Sequence, residues 1–161
     1  MPDTPTVLLI ESDEDAFRCF TAALRGAAPP PRVAWACGTA EAIAYLEGQD
    51  GYADRTFFPL PDLVLLSLKT PLTTKLDWVR WLRGSGAFHA LPVLALSAGG
   101  DECDAARAAA AGATAFVHLP SESARQNELF AEIVALWRRG GAGRFASWPG
   151  AVATPAQSCA A

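Results

Sequence analysis

The chain has 161 residues, 51% of them hydrophobic and 19% charged, with a formal net charge of −4. That is material for one domain with a sizeable core, and it excludes disorder as the default state. The negative balance gives no general attraction for nucleic acid or an anionic lipid surface, so neither is expected as a partner.

Cys19, Cys37, Cys103 and Cys159 lie far apart, with no C-x-x-C pair and none of the clustered Cys/His spacing of a zinc site. They are expected to be buried or free thiols in a reducing cytoplasm. The first apolar run, Val7 to Ile10, is much too short for a signal-peptide core, and no run approaches the ~20 residues of a membrane span. A soluble, cytoplasmic protein is expected.

Val7-Leu8-Leu9-Ile10 reads as a buried strand that stops at Glu11-Ser12-Asp13-Glu14-Asp15. Ser12 or Asp13 can cap a helix whose first turn holds Glu14 and Asp15, where the positive end of the helix dipole favours acids. Phe17, Phe20 and Leu24 form its inward stripe, and Gly26 ends it. The acidic run from Glu11 to Asp15 is read as a solvated helix start, with a metal site as the other option. After the stiff Pro29-Pro30-Pro31, a short strand Arg32–Ala36 is followed by a helix capped by Thr39 and running through Ile43 and Leu46 to Gly48. Residues 49–60 are a long polar and aromatic loop with Tyr52, Phe57 and Phe58, of a length that suits a functional segment or a family insertion.

The loop delivers the chain to Pro61-Asp62-Leu63-Val64-Leu65-Leu66-Ser67-Leu68-Lys69-Thr70-Pro71, the stretch on which the domain is organised. A continuous apolar run between two prolines is too short for an independent helix and lacks the alternation of a half-wet strand. It therefore reads as a central strand buried on both faces. Ser67 and Lys69 break its pattern where a parallel strand hands over to a loop, the place where open α/β sheets collect their chemistry.

Downstream, Thr74 can cap a helix from Lys75 to Arg83 with Leu76, Val79 and Leu82 on one side. Trp78 and Trp81 are then read as core and surface packing rather than a cofactor box. Leu91–Leu96 is a strand ended by Ser97, and Asp101 starts an alanine-rich helix from Glu102 to Ala111 with no large apolar anchor. Thr114–Leu119 is a fifth strand halted by Pro120. Ser121 and Glu122 open the last helix, whose stripe is Leu129, Ile133 and Leu136 with Phe130 and Trp137 flanking. The domain is expected to occupy residues 1–139, and residues 140–161 a flexible tail, or one ordered only by contact, with Phe145 and Trp148 as its anchors. Five strand-helix units in strict alternation require parallel strands with right-handed crossovers, hence a three-layer α/β/α sandwich.

These residues give the chain, from about Thr6 to Arg138, a family resemblance. It resembles the receiver domain of a two-component response regulator, and its long loop and length are similar to those of stand-alone receivers that partner bacterial phytochromes. The matching marks are the acidic knot Glu11-Ser12-Asp13, the run from Pro61 into the phosphoacceptor position at Ser67, and Pro71 four residues later. Leu91-Pro92-Val93 leads into the hydroxyl switch position at Ser97, and Gly112-Ala113 into the aromatic switch position at Phe116 and the final Pro120. The resemblance implies a flavodoxin-like, doubly wound (βα)5 sheet of strand order 2-1-3-4-5.

The departures bear on function. A typical receiver has two acids after the first strand, an aspartate at the acceptor position and a lysine before the final proline. Here those positions hold Glu11 and Ser12, Ser67, and Leu119, and a usual glycine four residues after Pro71 is Lys75. Receiver phosphorylation forms an acyl phosphate on a carboxylate, and Mg²⁺ neutralises the gathering charge. With Glu11 the surviving acid of three and Lys69 near Ser67, the pocket is expected to be near neutral without metal, so no cofactor is expected and Mg²⁺ binding least of all. Ser67 as a nucleophile would need a base, and His89 and His118 are not placed to be one.

The expectation is a non-enzymatic pseudo-receiver that acts by binding a protein, a sensor histidine kinase or an output partner. A homodimer through the fourth helix, fifth strand and fifth helix is a further expectation. The alternatives are an active regulator with an unconventional acceptor, Asp13 or Ser67, and a small-molecule-binding flavodoxin-like module. No G-x-G-x-x-G or P-loop motif follows any strand.

Overall fold

The structure, a computed structural model, describes residues 4–69, 72–99 and 102–148. Among them, strands β1 (Thr6–Ile10), β2 (Arg32–Ala36), β3 (Leu63–Ser67), β4 (Val93–Ser97) and β5 (Ala115–His118) alternate with helices α1 (Glu14–Arg25), α2 (Thr39–Glu47), α3 (Leu72–Gly84), α4 (Glu102–Ala111) and α5 (Ser123–Gly140). Every neighbouring pair is parallel, and the order across the sheet is β2-β1-β3-β4-β5. This is the flavodoxin-like sandwich that the alternation and the resemblance imply.

The continuous apolar runs exist because both faces of the sheet are covered. Successive side chains alternate, so Leu8, Ile10, Val64 and Leu66 pack with Tyr45 and Leu46 of α2, Leu76, Val79 and Leu82 of α3, and the small face Ala105, Ala108 and Ala111 of α4. Val7, Leu9, Leu63 and Leu65 face the other way, onto Phe20 and Leu24 of α1 and Phe130, Ile133 and Val134 of α5. Ile10 lies beside Leu66, Ser67 beside Leu96, and Ser97 beside His118. The carboxyl ends of β1, β3 and β4 are thus level, and Glu11, Ser67 and Ser97 emerge along one edge.

Of the two candidate caps of α1, Asp13 is the one used, its Oδ1 accepting from the N–H groups of Asp15 at 2.9 Å and Ala16 at 3.2 Å. Two other helix starts depart from the sequence reading. The cap of α2 is Gly38, with no side-chain bond, and Thr39 is the first helical residue. α3 starts at Leu72, ahead of the expected Lys75, so Thr74 lies inside the helix. The expected start of α4 at Asp101 lies outside the described residues.

The loop 49–60 is tied down. Gly48 takes the left-handed conformation that a helix end requires, φ 70°. Arg55 then donates to the α2 carbonyls of Tyr45 and Leu46 and to Phe58 O, under a cluster of Tyr45, Tyr52 and Phe58 rings.

The tail begins as a 3-10 helix, Gly141–Ser147. Phe145 and Trp148 are buried against the α1–α5 side of the core, and Trp148 Nε1 donates to Glu132 Oε1 of α5 at 2.6 Å. This first part is ordered by contact rather than flexible; residues 149–161 lie outside the described residues. Phe130, expected to flank the core, is fully buried with its ring 5.1 Å from that of Phe20. Cys19 and Cys37 are free thiols, whereas Cys103 is disulfide-bonded, contrary to the expectation of free thiols throughout.

Candidate functional site

Glu11 follows β1 directly. Its N–H continues the ladder by donating to Ala36 O at 3.0 Å, and its carbonyl accepts the indole N–H of Trp35 at 2.8 Å. Backbone held on both sides delivers the carboxylate into the interior, where it is 0% exposed. A buried carboxylate needs partners. Oε1 accepts from Asp13 N at 2.9 Å and lies 3.2 Å from Lys69 Nζ, while Oε2 is buried with no hydrogen-bond partner.

Lys69, whose side chain is 45% exposed, reaches over the edge from the loop after β3 and also stands 3.4 Å from Asp13 Oδ2. Burial works against its charge, but the Glu11 and Asp13 carboxylates outweigh it and hold the pKa above the ordinary lysine value. The N–H groups of Ala16 and Asp15, and then Lys69, hold Asp13 below the usual carboxylate range.

Ser67 ends β3 and is 2% exposed. Behind it is Lys75, which the sequence pattern marks only as the expected start of α3. It precedes Leu76 on the stripe that continues with Val79 and Leu82, so the helix turns it inward; it is 7% exposed and its Nζ donates to Ser67 O at 2.7 Å. Burial lowers its pKa, opposed by the charge of Glu11 and reinforced by that of Lys69. The available signal was its helical phase together with its standing where the resemblance implies a glycine. Two carboxylates therefore share this edge with two lysine side chains, one of them at hydrogen-bond or ion-pair distance from both carboxylates.

In front of Ser67 a cleft of about 490 Å³ opens at the ends of β3 and β4, lined among others by Lys69, Ser97, Asp104, Leu119 and Gln126. The structure thus brings Ser67, Lys69, Ser97 and Leu119 around one opening, with Glu11 and Asp13 joined to it through Lys69. Ser97 Oγ accepts from Gly99 N at 3.4 Å, and Pro120 O accepts from Gln126 Nε2 at 2.7 Å. Ser12 is exposed and away from these contacts, and Phe116 is turned into the core with Trp78 and Leu82. Pro71 lies outside the described residues. His89 and His118 are both exposed. Among the described residues no group of three or more His, Cys, Asp or Glu side chains is placed to hold a metal ion, and no helix is long and apolar enough to cross a membrane.

No protein-family model and no curated protein matches the sequence. Solved structures do. A response regulator in red-light signalling of R. palustris is 24% identical with a TM-score of 0.76, over 95% of this chain and 99% of that one. The phosphorylated cyanobacterial phytochrome response regulator RcpA is 21% identical with a TM-score of 0.75, over 84% and 95%. The bacteriophytochrome response regulator AtBRR is 27% identical with a TM-score of 0.63, over 82% and 95%. With a parallel β2-β1-β3-β4-β5 sheet and its site at the carboxyl edge, the chain has the fold of a response-regulator receiver domain and is similar to phytochrome response regulators among them.

Proposed function

We propose that this protein is a pseudo-receiver in two-component signalling, which acts by binding another protein and takes no part in ordinary aspartate phosphotransfer. The observation that carries the reading is Ser67. A complete receiver scaffold delivers a nearly buried serine, and no carboxylate, to the acceptor position, so no acyl phosphate can form there. The hydroxyl has no histidine at hand to activate it, since both histidines are exposed elsewhere.

Magnesium has no place in this reading. A hard divalent cation wants several oxygen ligands, preferably charged. Here the buried carboxylate of Glu11 already faces Lys69, Ser12 offers only a neutral hydroxyl, and Lys75 adds a second positive charge behind Ser67. The residues present do not fit the ion.

The partner we infer is a sensor histidine kinase of the phytochrome type or the output protein it addresses, on the strength of the similar structures. A homodimer through α4, β5 and α5 is a second assembly to test. The burial of Phe130 takes away one of its supports and leaves Trp137, half-buried, as the other. A monomer in light scattering at high micromolar concentration would dismiss it.

The deciding experiment incubates the protein with acetyl phosphate and Mg²⁺, and separately with a phosphorylated phytochrome-type histidine kinase, and reads intact mass and complex formation. Binding to the kinase with no phosphate adduct is the expected result. A stoichiometric adduct, on Ser67 or Asp13, would replace this reading with that of an active regulator using an unconventional acceptor. The small-molecule alternative has the cleft of about 490 Å³ in its favour. A ligand that raises the melting temperature in proportion to its concentration would promote it.

A further inference from the structure

Glu11 is 0% exposed, and one of its oxygens has no hydrogen-bond partner. An ionised carboxylate in such a place is costly unless positive charge stands close by, whatever partner the protein binds. Two ammonium groups stand at this edge, where Ile10 lies beside Leu66 and Glu11 therefore follows next to Ser67. Lys69 comes from the loop after β3 and lies 3.2 Å from Oε1. Lys75 comes from the first turn of α3, itself 7% exposed, and is pinned by a 2.7 Å hydrogen bond to Ser67 O.

The positions of the two lysines are complementary. Lys69 is half in water and is shared with Asp13, so it can neutralise Glu11 only in part. Lys75 is dry, and its aliphatic stem fills space on the buried stripe of α3 while its head stops at the end of β3. A buried ammonium is itself unfavourable, and burial does pull its pKa down, but the negative charge of Glu11 acts against that pull. Each buried charge thus makes the other tolerable. In a low-dielectric interior such an attraction acts beyond hydrogen-bond distance.

We propose that Lys75, together with Lys69, is a tethered counter-ion for Glu11, supplying from within the chain the positive charge that the receiver fold otherwise takes from a bound divalent cation. The acidic edge is then neutral in the resting protein, with no metal and no phosphate.

A double-mutant cycle tests this. Lys75→Met keeps the stem and removes the charge, and Glu11→Gln keeps the shape of the carboxylate and removes its charge. Thermal melts are recorded for the wild type, both single variants and the double variant in chelator-containing buffer. Loss of the hydrogen bond to Ser67 O is common to both backgrounds and cancels. If Lys75 is the counter-ion, Lys75→Met lowers Tm by at least about 4 °C when Glu11 is present, and by at least about 2 °C less in the Glu11→Gln background. Equal losses in the two backgrounds would overturn the proposal and leave Lys75 as a space-filling hydrogen-bond donor. Should Lys75→Met fail to fold, recovery of a cooperative melt in the double variant supports the proposal, and failure of the double variant as well overturns it.

Discussion

Lys75 Nζ lies 2.7 Å from the main-chain oxygen of Ser67, so the first turn of α3 is fastened to the last residue of β3. The bond fills the back of the site with a positive charge where the fold's usual pattern has a glycine and hence no side chain. A strand end backed by an ammonium group and flanked by Lys69 differs in kind from an acidic pocket.

Millimolar Mg²⁺ or Mn²⁺ is expected to leave the thermal melt unchanged relative to an ionic-strength control. Glu11 Oε1 is already engaged by Asp13 N–H and Lys69, and a dication would have to enter against two ammonium groups. Coincident melts with metal and with chelator are the expected outcome. A reproducible metal-specific rise in Tm would show that Glu11 and Asp13 can be recruited as ligands.

An alkaline titration should single out Tyr52. Its hydroxyl donates to Glu41 Oε1 at 2.6 Å, and that bond to a carboxylate pushes the phenol up to about 12. The folded protein therefore keeps the phenolic proton over a range where the unfolded chain has released it. The contribution is fully present below the ordinary value near 10 and is lost as pH rises through about 12. Stability measured between about pH 9 and 12 should fall less steeply in Tyr52→Phe than in the wild type, whereas the loss due to Lys69 is common to both. Parallel curves would mean that the Tyr52–Glu41 bond does not persist in solution.

Much of this architecture was legible because the sequence pattern has one physical cause. Runs such as Leu63–Leu66 and Val93–Leu96 are apolar without alternation because helices cover both faces, and that fixes strands, parallelism and layers together. Ser67 and Glu11 were legible as strand ends for the same reason, whereas Ser97 and Leu119 were set on the same edge by the receiver resemblance. Lys75 escaped because a charged residue is assigned by default to the wet face of a helix, although its i, i+4, i+7 spacing with Val79 and Leu82 is that of the buried stripe. Phe130 was placed at the margin because its burial depends on α1 across the core, where its ring meets Phe20, a contact that the periodicity of α5 alone does not signal.

Arg83 is expected to be among the most sensitive charged residues for stability. Its guanidinium donates to Gly112 O at 2.7 Å, Leu91 O at 2.6 Å, His89 O at 2.9 Å and Thr114 Oγ1 at 3.3 Å, fastening the end of α3 to the approaches of β4 and β5. Its stem also lies where a Cβ on Gly112 would be 2.6 Å away, and Gly112 has a φ of 112°. Arg83→Met should cost about 2–3 kcal/mol in urea unfolding with little change in slope, because partly buried carbonyls lose a charged donor. Arg83→Lys should recover only part of it, since an ammonium cannot span the fork. A loss under about 0.5 kcal/mol for Arg83→Met would place these bonds among solvent-equivalent surface contacts.

Ser67→Asp alone is not expected to restore phosphotransfer. The new carboxylate would stand beside Glu11, with a leucine where the fold's usual pattern has a lysine before Pro120 and an exposed Ser12 unable to hold a metal. The two lysines present do not substitute for these. Lys69 is committed to Glu11 and Asp13, and Lys75 points at the main-chain oxygen of residue 67 from behind, not into the cleft that an incoming phosphoryl group would use. Removing one preorganised stabiliser of a developing oxyanion typically costs ~10²–10³ in rate, and here two are missing. Labelling should become measurable when Ser12→Asp and Leu119→Lys accompany Ser67→Asp, and should rise further with Lys75→Gly, which takes away the charge competing with the metal. Acetyl phosphate and Mg²⁺ with intact-mass detection of a base-labile adduct reads the wild type and each of these variants, and efficient labelling of the single variant would show that the site needs neither the second acid nor the lysine.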